Sequence, residues 1–170
     1  MKRVICAVVV LMLSGCASAI PMNAKETNLQ VVIETPGNSK DQIFEKSKQW
    51  IARNFRSAKS VIEYENKTEG KIIGNGVINI PQDTIEAMGG VQKTGQFTMI
   101  EEIKDGKARL SFENIMVYTP PSYNAYTGAL PGGERVPMQG EFERFKPALL
   151  QLPSDLQAFI LTAENKDDGF

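Results

Sequence analysis

The dipeptide Asp105-Gly106 stands between two runs of alternating character, residues 96–104 and 107–119. Asp-Gly between alternating runs is among the strongest short hairpin signals, so the stretch predicts an antiparallel β-hairpin. Phe97, Met99, Leu110 and Phe112 are its expected inward anchors. A single hairpin is marginal in water, so the rest of the chain must supply further strands and a cover for their apolar face. Residues 29–35 (LQVVIET) and 61–66 (VIEYEN) have the β-branched, short character of strands. Residues 71–80 (KIIGNGVINI) alternate, with Ile72, Gly74, Gly76, Ile78 and Ile80 on the face expected to be buried. Two glycines on that face predict either close approach of a packed helix or a bulge.

The cover is a helix. Ser39-Lys40-Asp41-Gln42 forms a capping box, in which the Ser39 hydroxyl takes the third amide and Gln42 reaches back to the cap. A helix is predicted from Lys40 to about Ser57, with Ile43, Ser47, Trp50, Ile51, Asn54, Phe55 and Ala58 on one stripe. Trp50, central in that stripe, reads as core rather than as a binding residue. Near the C-terminus, residues 141–152 place Phe142, Phe145, Leu149 and Leu152 at helical spacing, and Pro147 predicts a kink. Ser154-Asp155-Leu156-Gln157 reads as a second capping box that opens a final short helix with Leu156, Phe159, Ile160 and Ala163. Residues 81–95 read as a connection, with one helical turn at 83–88. Strands and flanking helices in this order predict an α+β fold, a mostly antiparallel sheet with helices packed on one face.

The first residues read as an address. Lys2-Arg3 precedes ten uninterrupted apolar residues, 4–13, and then Ser14-Gly15-Cys16. A membrane-spanning helix needs ~20 apolar residues, so ten suit the core of a signal peptide instead. Leu13-Ser14-Gly15-Cys16 resembles the lipobox of bacterial lipoproteins. That resemblance implies diacylglycerol on the Cys16 sulfur, cleavage before Cys16 and acylation of the new amino group. The family pattern also implies that Ala17, rather than Asp, sorts the protein to the outer membrane, facing the periplasm. The alternative is an ordinary secretory signal cut after Ala17-Ser18-Ala19. On the lipoprotein reading the organisation is signal peptide 1–15, tether 16–28, one α+β domain 29–164 and a polar tail 165–170. Cys6 leaves with the signal, so the mature chain has no thiol free to form an internal disulfide.

Composition narrows the chemistry. The chain has no His, which removes the commonest general base and the commonest metal ligand together. No triad built on His is available, and no spacing suggests a metal or cofactor site. Loss of Lys2 and Arg3 leaves 17 basic against 20 acidic residues, a net charge of −3. That balance argues against a nucleic-acid partner and gives no electrostatic pull toward anionic lipid. Gly74-Asn75-Gly76 lacks the third glycine and the following helix of a dinucleotide fingerprint. Glu101 and Glu102 are neighbours in a strand and point to opposite faces, so they cannot converge on one substrate atom; a solvated edge or hairpin is the expected setting.

Residues 118–140 stand apart, with four prolines and three tyrosines. A loop that long is either functional or mobile. Tyr118, Tyr123 and Tyr126 are candidate partner contacts, because tyrosine is favoured at interfaces. The competing account is an insertion whose tyrosines pack back onto the sheet.

The strand at 29–35, the capped helix with Trp50, the strand at 71–78 and the hairpin at 97–116 together resemble a known family. Its members are small bacterial envelope proteins carrying a domain of unknown function described as having a TATA-box-binding-protein-like (TBP-like) fold. The resemblance covers roughly residues 28–119 and implies a fold; it implies no catalytic residue and no DNA binding. The expected function is a non-enzymatic, lipid-anchored binding or accessory role in the cell envelope, with an envelope protein or a peptide as partner. The alternatives are a carboxylate-dependent cell-wall hydrolase, or a carrier of a small apolar ligand in a pocket under the sheet.

Overall fold

The structure is a computed structural model that describes residues 21–23, 27–55, 61–82, 91–124, 126 and 128–162. Cys16, the signal segment, the turn expected at 83–88 and the polar tail lie outside the described residues. In chain order the elements are β1 (Leu29–Glu34), α1 (Lys40–Asn54), β2 (Ile62–Asn66), β3 (Lys71–Asn79), β4 (Thr94–Lys104), β5 (Lys107–Thr119), β6 (Ser122–Asn124), β7 (Gly128–Leu130), β8 (Gly133–Arg135) and α2 (Gln139–Thr162). The main sheet runs β1-β5-β4-β3-β2, with β8 also paired to β5. Every strand pair is antiparallel. β1 and β8 share the outer edge of β5: β1 lies along its first half, from Glu34↔Lys107 to Leu29↔Phe112, and β8 along its end, from Val117↔Arg135 to Thr119↔Gly133.

The Asp105-Gly106 turn makes the expected hairpin and also holds the first helix. Gly106 has φ +74°. The Asp105 carboxylate accepts from the Lys40 amide at 2.7 Å, and the Gly106 amide donates to the Asn38 carbonyl at 2.9 Å. The Ser39–Gln42 capping box is present in both directions. Helix α1 therefore starts where three separate signals agree. It ends at Asn54, with Phe55 extended; residues 57 and 58, expected to continue it, lie outside the described residues. Ile43, Phe44, Ser47, Trp50 and Ile51 are its buried face, while Asn54 is exposed and donates to the Trp50 carbonyl.

Both helices cover one face of the sheet. The core joins Ile43, Trp50 and Ile51 of α1, Phe142, Phe145 and Leu149 of α2, and Phe97, Met99, Leu110 and Phe112 of the central hairpin. Two local devices fit these rings together. Between Gln96 and Thr98 the β4–β5 register slips, so that Asn114 and Ile115 both face Phe97. Asn114 takes the left-handed conformation, φ 51°, at this bulge. The extra residue switches inward positions from even (Ala108, Leu110, Phe112) to odd (Ile115, Val117), and all five are buried. Across the sheet, the Phe97 ring occupies the space where a Cβ on Gly76 would stand. At Gly74 the backbone of Val61 comes as close, beside the irregular register of β2. Gly76 thus admits a neighbouring ring, and Gly74 the backbone of Val61 just before β2, beside a bulge of the kind the two glycines predict.

Helix α2 departs from expectation. It runs unbroken through Pro147 and Pro153, and no helix starts at Ser154. Phe142, Phe145, Leu149, Pro153, Leu156 and Ile160 keep helical spacing across both prolines, so one continuous apolar stripe is buried. That burial outweighs the two missing amide donors. Gln157, expected to close a cap, donates to the Glu34 carbonyl at 2.8 Å, and Asp155 accepts from Gln151 one turn earlier.

The segment at 118–140 is also more structured than its composition suggests. β5 extends to Thr119, β6 and β7 form a short ribbon, β8 joins the sheet and α2 begins at Gln139. Runs of three residues are too short to show a period in sequence. Their pairing is fixed by the base of the ribbon, where Gly132 packs directly on the Thr119 carbonyl and Pro121.

Candidate functional site

The helix-free face of the sheet is a broad surface with a polar middle. Along β4 it carries Thr94, Gln96, Thr98, Ile100, Glu102 and Lys104, because the residues between them are buried beneath the helices. A hydrogen-bonded ladder crosses its middle. Asn75 donates to Glu63 at 2.5 Å, the Thr98 hydroxyl donates to Asn75 at 3.1 Å, and Asn114 donates to Thr98 at 3.4 Å. Toward β1, Gln30 donates to the Ser111 hydroxyl at 3.1 Å. At the hairpin-turn end, Val32, Arg109, Glu102, Lys104 and Lys107 line a shallow depression of ≈ 300 Å³. Val32 and Val77, both more than half exposed, and Tyr64 add apolar area at the two sides. This face offers alternating donors, acceptors and apolar side chains over five strands.

The three tyrosines do not form one patch. Tyr118 lies in β5 opposite Thr94 and beside Glu134 of β8, half-buried on the open face. Tyr123 and Tyr126 belong to the β6–β7 ribbon and are 79% and 98% exposed. One tyrosine therefore packs on the sheet, and two stand in solvent.

The neighbouring acids are divided more sharply than expected. Glu102 is on the open face, ion-paired with Arg109, whose Nε donates to it at 2.8 Å. Glu101 faces the helices and is fully buried, contrary to the solvated setting expected of it. Its cross-strand neighbours are Ile72 and Leu110, and the Ser47 hydroxyl of α1 donates to its Oε1 at 2.7 Å. Its Oε2 has no hydrogen-bond partner among the described residues. Burial pushes its pKa up to about 7, and the Ser47 hydrogen bond only partly offsets that. Strict alternation along β4 is the reason: once Met99 and Ile103 point inward, residue 101 must follow.

A second buried acid, Glu141, escaped sequence reasoning. It sits in the first turn of α2 and accepts from both terminal nitrogens of Arg135, at 2.7 and 2.6 Å. Lys93 donates to it at 3.0 Å, and the Met138 amide at 3.1 Å. Burial would raise its pKa, but the bonds from Arg135, the Met138 amide and Lys93 prevail and hold it at about 2. The cluster ties β8, the approach to β4 and the start of α2 together. The adjoining Pro137 carbonyl accepts from the Met22 amide at 3.1 Å, and Pro21 bridges Met138. An acid in the first helical turn was the available signal. Its partners, 6 and 48 residues away, were not.

Among the described residues no group of three or more His, Cys, Asp or Glu is placed to hold a metal ion.

Comparison with known proteins bears on the fold. A TBP-like protein from Parabacteroides distasonis superposes with a TM-score of 0.60 at 12% identity, over 82% of this chain and 96% of that one. A DUF4468 family protein from Bacteroides ovatus superposes with a TM-score of 0.50 at 12% identity, over 84% and 88%. At such identities the likeness shows the fold alone. Among curated proteins no relative matches the chain. The family model described as "Domain of unknown function (DUF4468) with TBP-like fold" matches residues 30–118, more than half of the sequence, and the protein belongs to that family.

Proposed function

We propose that this protein is a lipid-anchored component of the bacterial cell envelope, held in the outer membrane through Cys16, with a non-enzymatic binding or accessory role. The observation that carries the reading is Leu13-Ser14-Gly15-Cys16 directly after a ten-residue apolar run. The place where the chain joins the fold supports it. Residues 21 and 22 pair with Met138 and Pro137, which leaves four residues between the domain and the anchoring cysteine. No helix among the described residues is long and apolar enough to cross a membrane, so an acyl anchor would supply the attachment. Three acyl chains hold stably where one holds marginally.

The partner surface in this reading is the open sheet face, and the partner is an envelope protein or a peptide. The non-enzymatic part is supported by the lack of His and by the setting of Glu101. A carboxylate hydrolase needs two acids ~5–9.5 Å apart around its substrate, whereas Glu101 is enclosed by Ile72, Leu110 and Ser47. A carrier needs an apolar cavity, and the space under this sheet is filled by Phe97, Phe112, Phe142 and Phe145.

The test is intact mass and membrane fractionation of the native protein beside a Cys16→Ser variant. The expected result is a triacyl mass increment in the outer-membrane fraction that the variant lacks. An unmodified, soluble mature chain overturns the proposal.

A further inference from the structure

We propose that the β6–β7 ribbon is a second membrane contact, in which Tyr123, Tyr126 and Leu130 rest in the headgroup layer of the leaflet that holds Cys16. This inference rests on the lipid-anchored reading above.

Four observations converge on it. The first is exposure: Tyr123 is 79%, Tyr126 98% and Leu130 44% exposed. Tyr123 pairs with Ala129 and Leu130 with Ser122, so the two large side chains lie on opposite faces of the ribbon, and both faces meet solvent. A ribbon of two three-residue strands is marginal in water and gains from a surface that covers it. The second is charge. Residues 118–133 contain no Asp, Glu, Lys or Arg, in a chain where such residues make up 23%. Entry into the headgroup layer therefore strips water from no ionised group. Residues 16–24 are uncharged as well. The third is residue type, since tyrosine is enriched at membrane–water boundaries, where its ring meets the acyl region and its hydroxyl stays hydrated.

The fourth is reach. Cys16 stands five residues before Pro21, a span of at most ~18 Å. Pro21 is bridged to Met138, and Leu130 stands eight residues before Met138, at most ~29 Å along the chain. The anchor and the ribbon thus join the domain by short stretches of chain that meet at the Pro21–Met138 bridge. The base of the ribbon is fixed to the domain through Gly132 and through β8, whose Arg135 is clamped by Glu141. Two separated contacts would set the orientation of the domain on the membrane, which attachment at Cys16 alone would leave free.

The experiment uses the full-length lipidated protein in vesicles of phosphatidylethanolamine with a minor share of phosphatidylglycerol. Because Cys16 is acylated, Ala129→Cys provides the free thiol for an environment-sensitive fluorophore and keeps both tyrosines. Lys104→Cys, exposed at the far end of β4, is the control. Lipids spin-labelled near the headgroup are expected to quench the fluorophore at position 129 severalfold more than at position 104. Adding Tyr123→Ser and Tyr126→Ser should bring position 129 toward the control. Equal quenching at both positions, in protein with triacyl mass that sediments with the vesicles, overturns the inference and leaves the anchored reading standing. A chain without acyl mass that stays in the supernatant overturns both. Protection of position 129 from aqueous iodide in intact envelopes but not in vesicles assigns the ribbon to a protein partner and overturns the lipid contact.

Discussion

Two buried glutamates in this fold meet opposite fates. Glu141 is surrounded by donors from three segments and remains an anion, with its pKa held at about 2. Glu101 is enclosed by aliphatic side chains and one hydroxyl, and burial raises its pKa to about 7. Both are nearly or wholly out of solvent, so burial by itself decides nothing. What decides is whether the fold brings a cation within hydrogen-bonding distance. Where β8 meets α2 it does, and the charge fastens the insertion to the sheet. Under α1 it does not, and the carboxyl is a proton acceptor inside the core, tolerated because alternation along β4 requires some residue at that place.

The largest expected effect separates the two directly. Glu141→Ala removes the acceptor shared by Arg135, Lys93 and the Met138 amide, and should cost about 3–4 kcal/mol, as loss of one partner of a buried ion pair does. Urea unfolding followed by the fluorescence of Trp50, the only tryptophan, measures it. The depressed pKa gives this acid a stabilising role that is complete above the unfolded value of 4.5 and lost as pH falls toward 2. Glu101 has the reverse sign. Its folded pKa lies above the unfolded value, so its share of stability is fully present below pH 4.5 and lost as pH rises through 7. The loss at pH 8 is on the order of 3 kcal/mol. Glu101→Gln should therefore be more stable than the parent at pH 8, with the difference shrinking below pH 5. A difference that does not change with pH would show that Glu101 carries no shifted titration.

The same contrast explains how much of the molecule was legible in sequence. The hairpin at Asp105-Gly106, the capping box at Ser39 and the inward anchors Phe97, Met99, Leu110 and Phe112 are local signals, and the structure shows them as expected. So is the placement of Trp50 in the core. The new helix start expected at Ser154 was also a local reading, but a continuous stripe packed on the sheet overrode it. The burial of Glu101 could have been read from the alternation of β4, had its polarity not argued for solvent. The Glu141 cluster and the pairing of β8 with β5 could not be read, because their partners are distant in sequence or too short to show a period. Of the tyrosines, only the exposure of Tyr123 and Tyr126 suits the contact role expected for them.

A smaller effect isolates the hydrogen bond that Ser47 gives to the Glu101 carboxyl. Ser47→Ala removes the hydroxyl that donates to Oε1 at 2.7 Å and should cost about 1 kcal/mol. It should also move the pH at which stability is lost further upward, since the hydroxyl that favours the ionised carboxylate is gone. The smallest effect belongs to the neighbour in sequence. Glu102 pairs with Arg109 on the open face, where the two side chains are 41% and 47% exposed. Water already solvates both partners, and holding two long side chains in one geometry costs entropy, so exposed pairs contribute ~0–1 kcal/mol. Glu102→Gln should change stability by less than about 0.5 kcal/mol, far less than Glu101→Gln does at pH 8. If Glu102→Gln instead shows the larger change in stability, the two faces of β4 have been assigned the wrong way round, and the argument from alternation fails with it.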